Sequence, residues 1–251
     1  MNIGIYKGAA VLAACERSQE NTANNIAGAS VPGFRRAGMS FEAVLAERTH
    51  GSDGEHLAKG VKNVMPQAIK DLDLQPGELR STGQELDFAI QGPGFFQVER
   101  PDGSMAYTRD GGFHANAERI IVNSQGYPVQ GDGGPITLLP QGGRISVNSE
   151  GTLIQGTTPI GKIGVYDFAE TDKLKTAGDG LLVPKNPEAT PKSVDRPNLV
   201  SGAIEGSNVK LLREMVDLIT ITRAHEAAKR IVQAHDENSD KAIQNLGSTN
   251  A

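Results

Sequence analysis

The stretch SNVKLLREMVDLITITRAHEAAKRIVQAHDENSDKAIQNL, residues 207–246, decides the architecture. Val209, Leu212, Val216 and Ile219 follow a 3-4-3 spacing, with Leu211, Met215 and Leu218 on an adjacent stripe, and no Pro interrupts them. That is the pattern of an amphipathic helix with a coiled-coil-like seam, and Ser207 or Asn208 can cap it. Carried to Leu246, the helix would reach roughly 57 Å at 1.5 Å per residue, longer than a small domain is wide. Its second half replaces the aliphatic residues with Arg223, Glu226, Arg230 and Glu237. Such a helix needs a partner, because isolated helices in water are marginal.

The other end of the chain carries a matching element. Residues 2–29 place Ile3, Ile5, Ala9, Leu12, Ala13, Ala23 and Ile26 at approximately helical spacing, again without Pro. Pro32-Gly33 predicts the stop, since Pro disfavours helix in the residue before it and Gly permits a left-handed turn. Residues 36–74 are expected to be irregular and ordered by a partner: THGSDGEHLAKG is polar and unpatterned.

Between these ends, residues 75–201 break into short β-rich runs punctuated by Gly, Pro, Asp and Asn. Phe95-Phe96-Gln97-Val98 and Met105-Ala106-Tyr107-Thr108 flank Pro101-Asp102-Gly103-Ser104, a hairpin signature. Val122-Asn123-Ser124-Gln125-Gly126 recurs as Val147-Asn148-Ser149-Glu150-Gly151, so one hairpin type is used twice. Ile163, Val165, Tyr166 and Phe168 supply a later strand, and the Pro-rich residues 184–198 lead out. The fold class expected is α+β: a central antiparallel β domain flanked by terminal helices that form a coiled-coil-like interface on assembly. Its divisions are 1–35, 36–74, 75–201 and 202–251.

Charge and composition narrow the function. A net charge of -5 leaves no excess of Lys or Arg to displace counterions, which argues against nucleic-acid binding. No apolar run is long enough to insert in a membrane, and Lys7-Gly8 and Glu16-Arg17 disfavour a cleavable signal peptide. The single Cys15 forms no internal disulfide, and in an Ala-rich helix it reads as a small packing residue. His225 and His235 lie on nearly one helical face but lack a third metal ligand. Gly131-Asp132-Gly133-Gly134 precedes a strand-like run where a phosphate loop needs a helix, and Asp236, Glu237 and Asp240 lack the Gly of a calcium loop. The expectation is a protein that is not an enzyme, with no catalytic, cofactor-binding or metal residues and no cofactor.

Three blocks resemble a known family. Asn24-Asn25-Ile26-Ala27-Gly28-Ala29-Ser30-Val31-Pro32-Gly33-Phe34-Arg35 is similar to the N-terminal signature of the flagellar rod and hook axial proteins, ANN(L/I)AN-x-x-T-x-GF(K/R). Gly28 stands where that family usually has Asn. Residues 86–96, LDFAIQGPGFF, look like its LD-x-AI-x-G-x-GFF strand, and Tyr107-Thr108-Arg109-Asp110-Gly111 matches YTR(D/N)G. Ile204-Glu205-Gly206-Ser207-Asn208-Val209 is similar to the LE-x-SNV that opens the last helix.

The resemblance implies a structural subunit of the bacterial flagellar basal-body rod, part of a helical tube that transmits torque in motility. Within the family it is nearest to the proximal rod type. The alternatives are the distal type or a β-domain binding module on a helical stalk. It further implies export through the flagellar type III apparatus without a cleavable signal, a place in the periplasmic rod, and contacts with copies of itself and other axial proteins. The expected assembly interface comprises Ile5, Leu12, Ile26, Val209, Leu212, Met215, Val216 and Ile219. The expected family-motif residues are Asn24, Asn25, Ile26, Ala27, Pro32, Gly33, Phe34, Glu205, Ser207 and Asn208.

Overall fold

A computed structural model describes residues 3–45, 64–148, 150–168, 173–186 and 190–248. Helix α1 spans Ile3–Gly28 and helix α2 spans Leu211–Ser248, with short strands between them. Two compact units result. One comprises residues 1–24, 37–71 and 212–251; the other, the β domain, comprises 25–36 and 72–211.

The helical unit holds α1 and α2 side by side and antiparallel. A Cβ added at Gly8 would lie 2.4 Å from Val232 Cγ2, Glu16 faces His225 at 3.9 Å, and Gln19 donates to Thr222 Oγ1 at 3.3 Å. On α2 the inward residues are Glu214, Leu218, Ile221, His225, Ala228, Val232 and His235, all buried or half-buried. Their 4-3-4-3-4-3 spacing is that of a coiled-coil seam. The facing stripe of α1, Gly8, Leu12, Cys15, Gln19 and Thr22, is made largely of small and polar side chains. Ala14, Ser18 and Asn21 lie beside it and are buried. Asn21 Nδ2 donates to the Ala37 carbonyl at 2.6 Å, and the Ser18 hydroxyl lies 3.2 Å from Met39 Sδ.

Ala37 opens a strand, Ala37–Leu45, paired with Val64–Leu72 in a two-stranded sheet. The irregular segment expected at 36–74 is therefore strand at both of its ends, while residues 46–63 lie outside the described residues. Ala37, Met39, Phe41, Ala43 and Leu45 alternate with other residues at the strand period of two.

The β domain is organised on a six-stranded sheet in the order 174–178, 181–184, 105–108, 95–99, 165–167, 192–193, with every neighbouring pair antiparallel. Side chains alternate across it. Phe96, Val98, Ala106, Val165 and Leu181 join Phe88, Ile121, Val129, Leu153 and Ile163 in the main core. Phe95, Tyr107, Phe168, Leu174 and Leu182 form a second cluster. In it Tyr107 meets Phe168 edge-on with ring centroids 4.8 Å apart. Both faces of the sheet are covered, so its strands read as near-continuous apolar pairs rather than strict alternation. The domain runs past the expected boundary at 201, because Ala203–Glu205 pairs with Leu79–Ser81.

The repeated hairpin occurs three times rather than twice. Asn123 Oδ1 accepts from the amides of Gln125 and Tyr127, and Asn148 Oδ1 from those of Glu150 and Thr152. Asn116 Oδ1 does the same for Glu118 and Ile120. In each turn the fourth residue adopts a left-handed conformation: Gly126 at φ 83, Gly151 at φ 82 and Arg119 at φ 62. The third copy escapes a sequence search because it carries Arg where the others have Gly.

A buried charged junction as candidate functional site

The three motif blocks, distant in sequence, meet in the β domain around one carboxylate. Glu205 is 1% exposed and sits at the end of the Ala203–Glu205 strand. Its Oε1 lies 2.6 Å from Arg35 Nη2 and accepts from the Gly77 amide at 2.7 Å. Its Oε2 lies 3.1 Å from Arg109 Nη1, and its backbone carbonyl accepts from the Gly33 amide at 2.7 Å. One residue therefore ties the turn after α1, the Tyr107–Gly111 block and the approach to α2.

Two arginines against one glutamate leave a buried excess of positive charge, and three features offset it. Arg109 Nη1 also donates to the Ile90 carbonyl at 3.2 Å, and its Nη2 donates to the Gly92 carbonyl. Its guanidinium stands 5.3 Å from the centre of the Phe95 ring, a cation-π arrangement. Burial pulls the Arg109 pKa down, and the Glu205 carboxylate pushes it back up. Arg35 Nε and Nη1 and Arg109 Nε find no hydrogen-bond partner among the described residues.

Gly33 and Gly28 show why small residues stand here. Gly33 has φ +66, and a Cβ on it would lie 2.2 Å from the backbone of Arg109 and Asp110. A Cβ on Gly28 would lie 2.4 Å from the Phe34 ring, so the ring packs directly on the backbone at this position. Asn208 was expected as a helix cap and has another task. Its Oδ1 accepts from the Arg36 amide at 2.7 Å, and its Nδ2 donates to the carbonyls of Asp73 and Gln75. Ser207 Oγ accepts from the Val209 amide at 3.2 Å instead, a local turn bond.

The other expected residues divide by exposure. Asn25 is buried, Pro32 and Phe34 are half-buried, and Asn24 and Ala27 are exposed. Of the expected interface, Leu12, Ile26 and Val209 are half-buried, and Ile5 falls outside the residues whose side chains are described. Leu212, Met215, Val216 and Ile219 are 81%, 45%, 62% and 55% exposed. Within the chain, α2 thus turns a different face toward α1 and leaves the more aliphatic stripe uncovered. Arg35, Arg109 and Asn21 were missing from the expected sites. An Arg inside an apolar strand block signals a buried charge, but its partner is not written nearby.

No group of three or more His, Cys, Asp or Glu is placed to hold a metal among the described residues. No described helix is long and apolar enough to cross a membrane.

Comparison with known proteins matches family models to the second and third of these blocks, and relatives to the whole chain. A family model described as the flagellar hook protein FlgE/F/G D1 domain matches residues 89–155, and one described as the flagellar basal body rod FlgEFG protein C-terminal matches residues 200–245. The chain is 33% identical to the flagellar basal-body rod protein FlgF of Mesorhizobium japonicum over 99% of both chains. It is 34% identical to FlgF of Caulobacter vibrioides over the whole of both. It is 32% identical to FlgG of Agrobacterium fabrum over 90% of this chain and 93% of that one.

Proposed function

Because the chain belongs to the flagellar basal-body rod protein family, we propose that it is a structural subunit of the bacterial flagellar rod, of the proximal type. End-to-end coverage of the relatives named FlgF supports that type over FlgG, whose relatives align over about nine-tenths. The role is mechanical rather than catalytic: the subunit joins a helical tube with copies of itself and other axial proteins. It reaches the periplasmic rod through the flagellar type III export channel.

The observation that carries this reading is the second apolar face of α2. The helix already buries one seam against α1, yet Leu212, Met215, Val216 and Ile219 remain exposed in a row on another. Covering what these four side chains still expose contributes on the order of 4–7 kcal/mol before the cost of ordering is subtracted. A contact of this kind, repeated between unlike surfaces without closing, builds a filament.

The test is Leu212→Asp with Val216→Asp in the flagellated host. Both side chains point away from the chain's own packing, so the purified variant should unfold at the wild-type midpoint while failing to enter basal bodies. Normal incorporation of the double variant would show that this face is not the assembly surface.

A further inference from the structure

The β domain carries a cleft bordered by two carboxylates. Ser30, Val31, Pro32, Asp110, Gly112, Ser124, Gln125 and Asp179 line a space of about 330 Å³. Asp110 is 6% exposed. Its Oδ1 accepts from the Gly112 amide at 2.9 Å, while Oδ2 is met only by the Ser124 hydroxyl at 3.5 Å. Asp179 adds a second carboxylate, and neither pairs with a cation among the described residues. A buried carboxylate beside open space is most stabilised by a positively charged group entering that space.

A matching cation stands on the same hairpin. Arg119 is exposed, and its guanidinium makes no hydrogen bond or ion pair among the described residues. It occupies the left-handed position that the two sister turns give to Gly126 and Gly151. The turn itself would be better served by Gly, so the fold gives no reason for an arginine there. His114 pairs with Val122 and Ala115 with Ile121, so Arg119 caps one end of this hairpin. The cleft residues Gly112 and Ser124 lie beyond its other end. One element thus presents a cation at one tip and an acidic cleft at the opposite one.

We propose that the Asp110–Asp179 cleft receives the Arg119 guanidinium of a neighbouring copy, in a head-to-tail contact between β domains. The contact joins unlike surfaces and so propagates from copy to copy. It rests on the reading of the chain as a rod subunit. It concerns a different surface from the α2 stripe, so the two can fail separately.

The experiment places a photo-crosslinking amino acid at Gln125, on the rim of the cleft, in the full chain expressed in the flagellated host. Basal bodies are irradiated and the adducts mapped by mass spectrometry. The expected adduct joins Gln125 to residues 116–120 of another copy. Its yield should fall about tenfold in Arg119→Gln, as the loss of a charged hydrogen-bonded pair implies, and persist in Arg119→Lys. Incorporated subunits whose adducts lie elsewhere, or whose yield ignores Arg119→Gln, would overturn the contact while leaving the rod reading intact. Failure of the wild-type chain to enter basal bodies would overturn both.

Discussion

Arg35 and Glu205, from opposite ends of the chain, meet as a buried ion pair at 2.6 Å, and Arg109 completes the junction from the other carboxylate oxygen at 3.1 Å. The pair closes the β domain by holding the segment that leaves α1 against the segment that enters α2. Its energetic weight lies in what its loss would leave behind, since a buried charge without a partner costs more than the pair itself contributes.

Glu205→Gln tests that weight. Glutamine keeps the shape and can still accept from Gly77, but it leaves the buried Arg35 and Arg109 guanidinium groups without their ion-pair partner, with only the Asp167 carboxylate still acting on Arg109. The β domain should lose about 3–5 kcal/mol in chemical denaturation. A loss under about 1 kcal/mol would mean that the carbonyls of Ile90 and Gly92 and the Phe95 ring already suffice.

Gly33→Ala should be costly for a different reason. The residue is left-handed, and the new methyl would meet the backbone of Arg109 and Asp110 rather than a movable side chain. The φ preference alone costs about 1 kcal/mol, so a loss of about 2 kcal/mol or more is expected once the backbone must shift. Calorimetric unfolding of the purified chain measures it. A wild-type melting temperature would show that the turn repositions freely.

Arg119→Gly should work in the opposite direction on stability. It relieves a non-glycine residue at φ 62 and raises stability by about 0.5–1 kcal/mol, read as a higher Tm. The same change removes the proposed inter-copy contact. Stability rising while assembly falls would separate a functional arginine from a structural one. Lower stability would show that Arg119 supports its own domain.

Asp110 makes stability depend on pH. Burial pushes its carboxyl above the ordinary range, with the Asp87 carboxylate adding to the rise against the Gly112 and Ser124 hydrogen bonds. The folded state therefore holds this proton more tightly than the unfolded state. Its contribution favours folding at low pH and is lost as pH rises from the usual carboxylate value, near 4, through the raised one. Asp110→Asn should flatten this part of the profile and gain on wild type as pH increases. Parallel profiles would show that the carboxylate is not destabilised by burial.

The two helices, the signature turn and the β texture were legible because each rests on local chemistry: helical spacing, the Pro32-Gly33 stop, and Gly or Asn at hairpin turns. The strand Ala37–Leu45 was also written in the sequence as a two-residue alternation, but the polar residues after it diluted the signal. The choice of seam on α2 was harder. The helix has two apolar faces, and the more aliphatic one, with Leu212 and Val216, points outward. The stripe of α1 is lined by Gly8, Cys15 and Gln19, and the face set against it carries His225, Ala228 and Val232 instead. The Arg35–Glu205–Arg109 junction could not be read locally, since its members sit in three separate blocks and only the fold brings them together.

Deletion of the gene in its host, followed by electron cryotomography of the cell envelope, tests the structural role in the rod. Non-swimming cells are expected, with basal bodies that stop short within the periplasm. Complete rods should return with the wild-type gene but not with the Leu212→Asp, Val216→Asp variant. Swimming cells with complete flagella in the deletion strain would contradict a structural role in the rod.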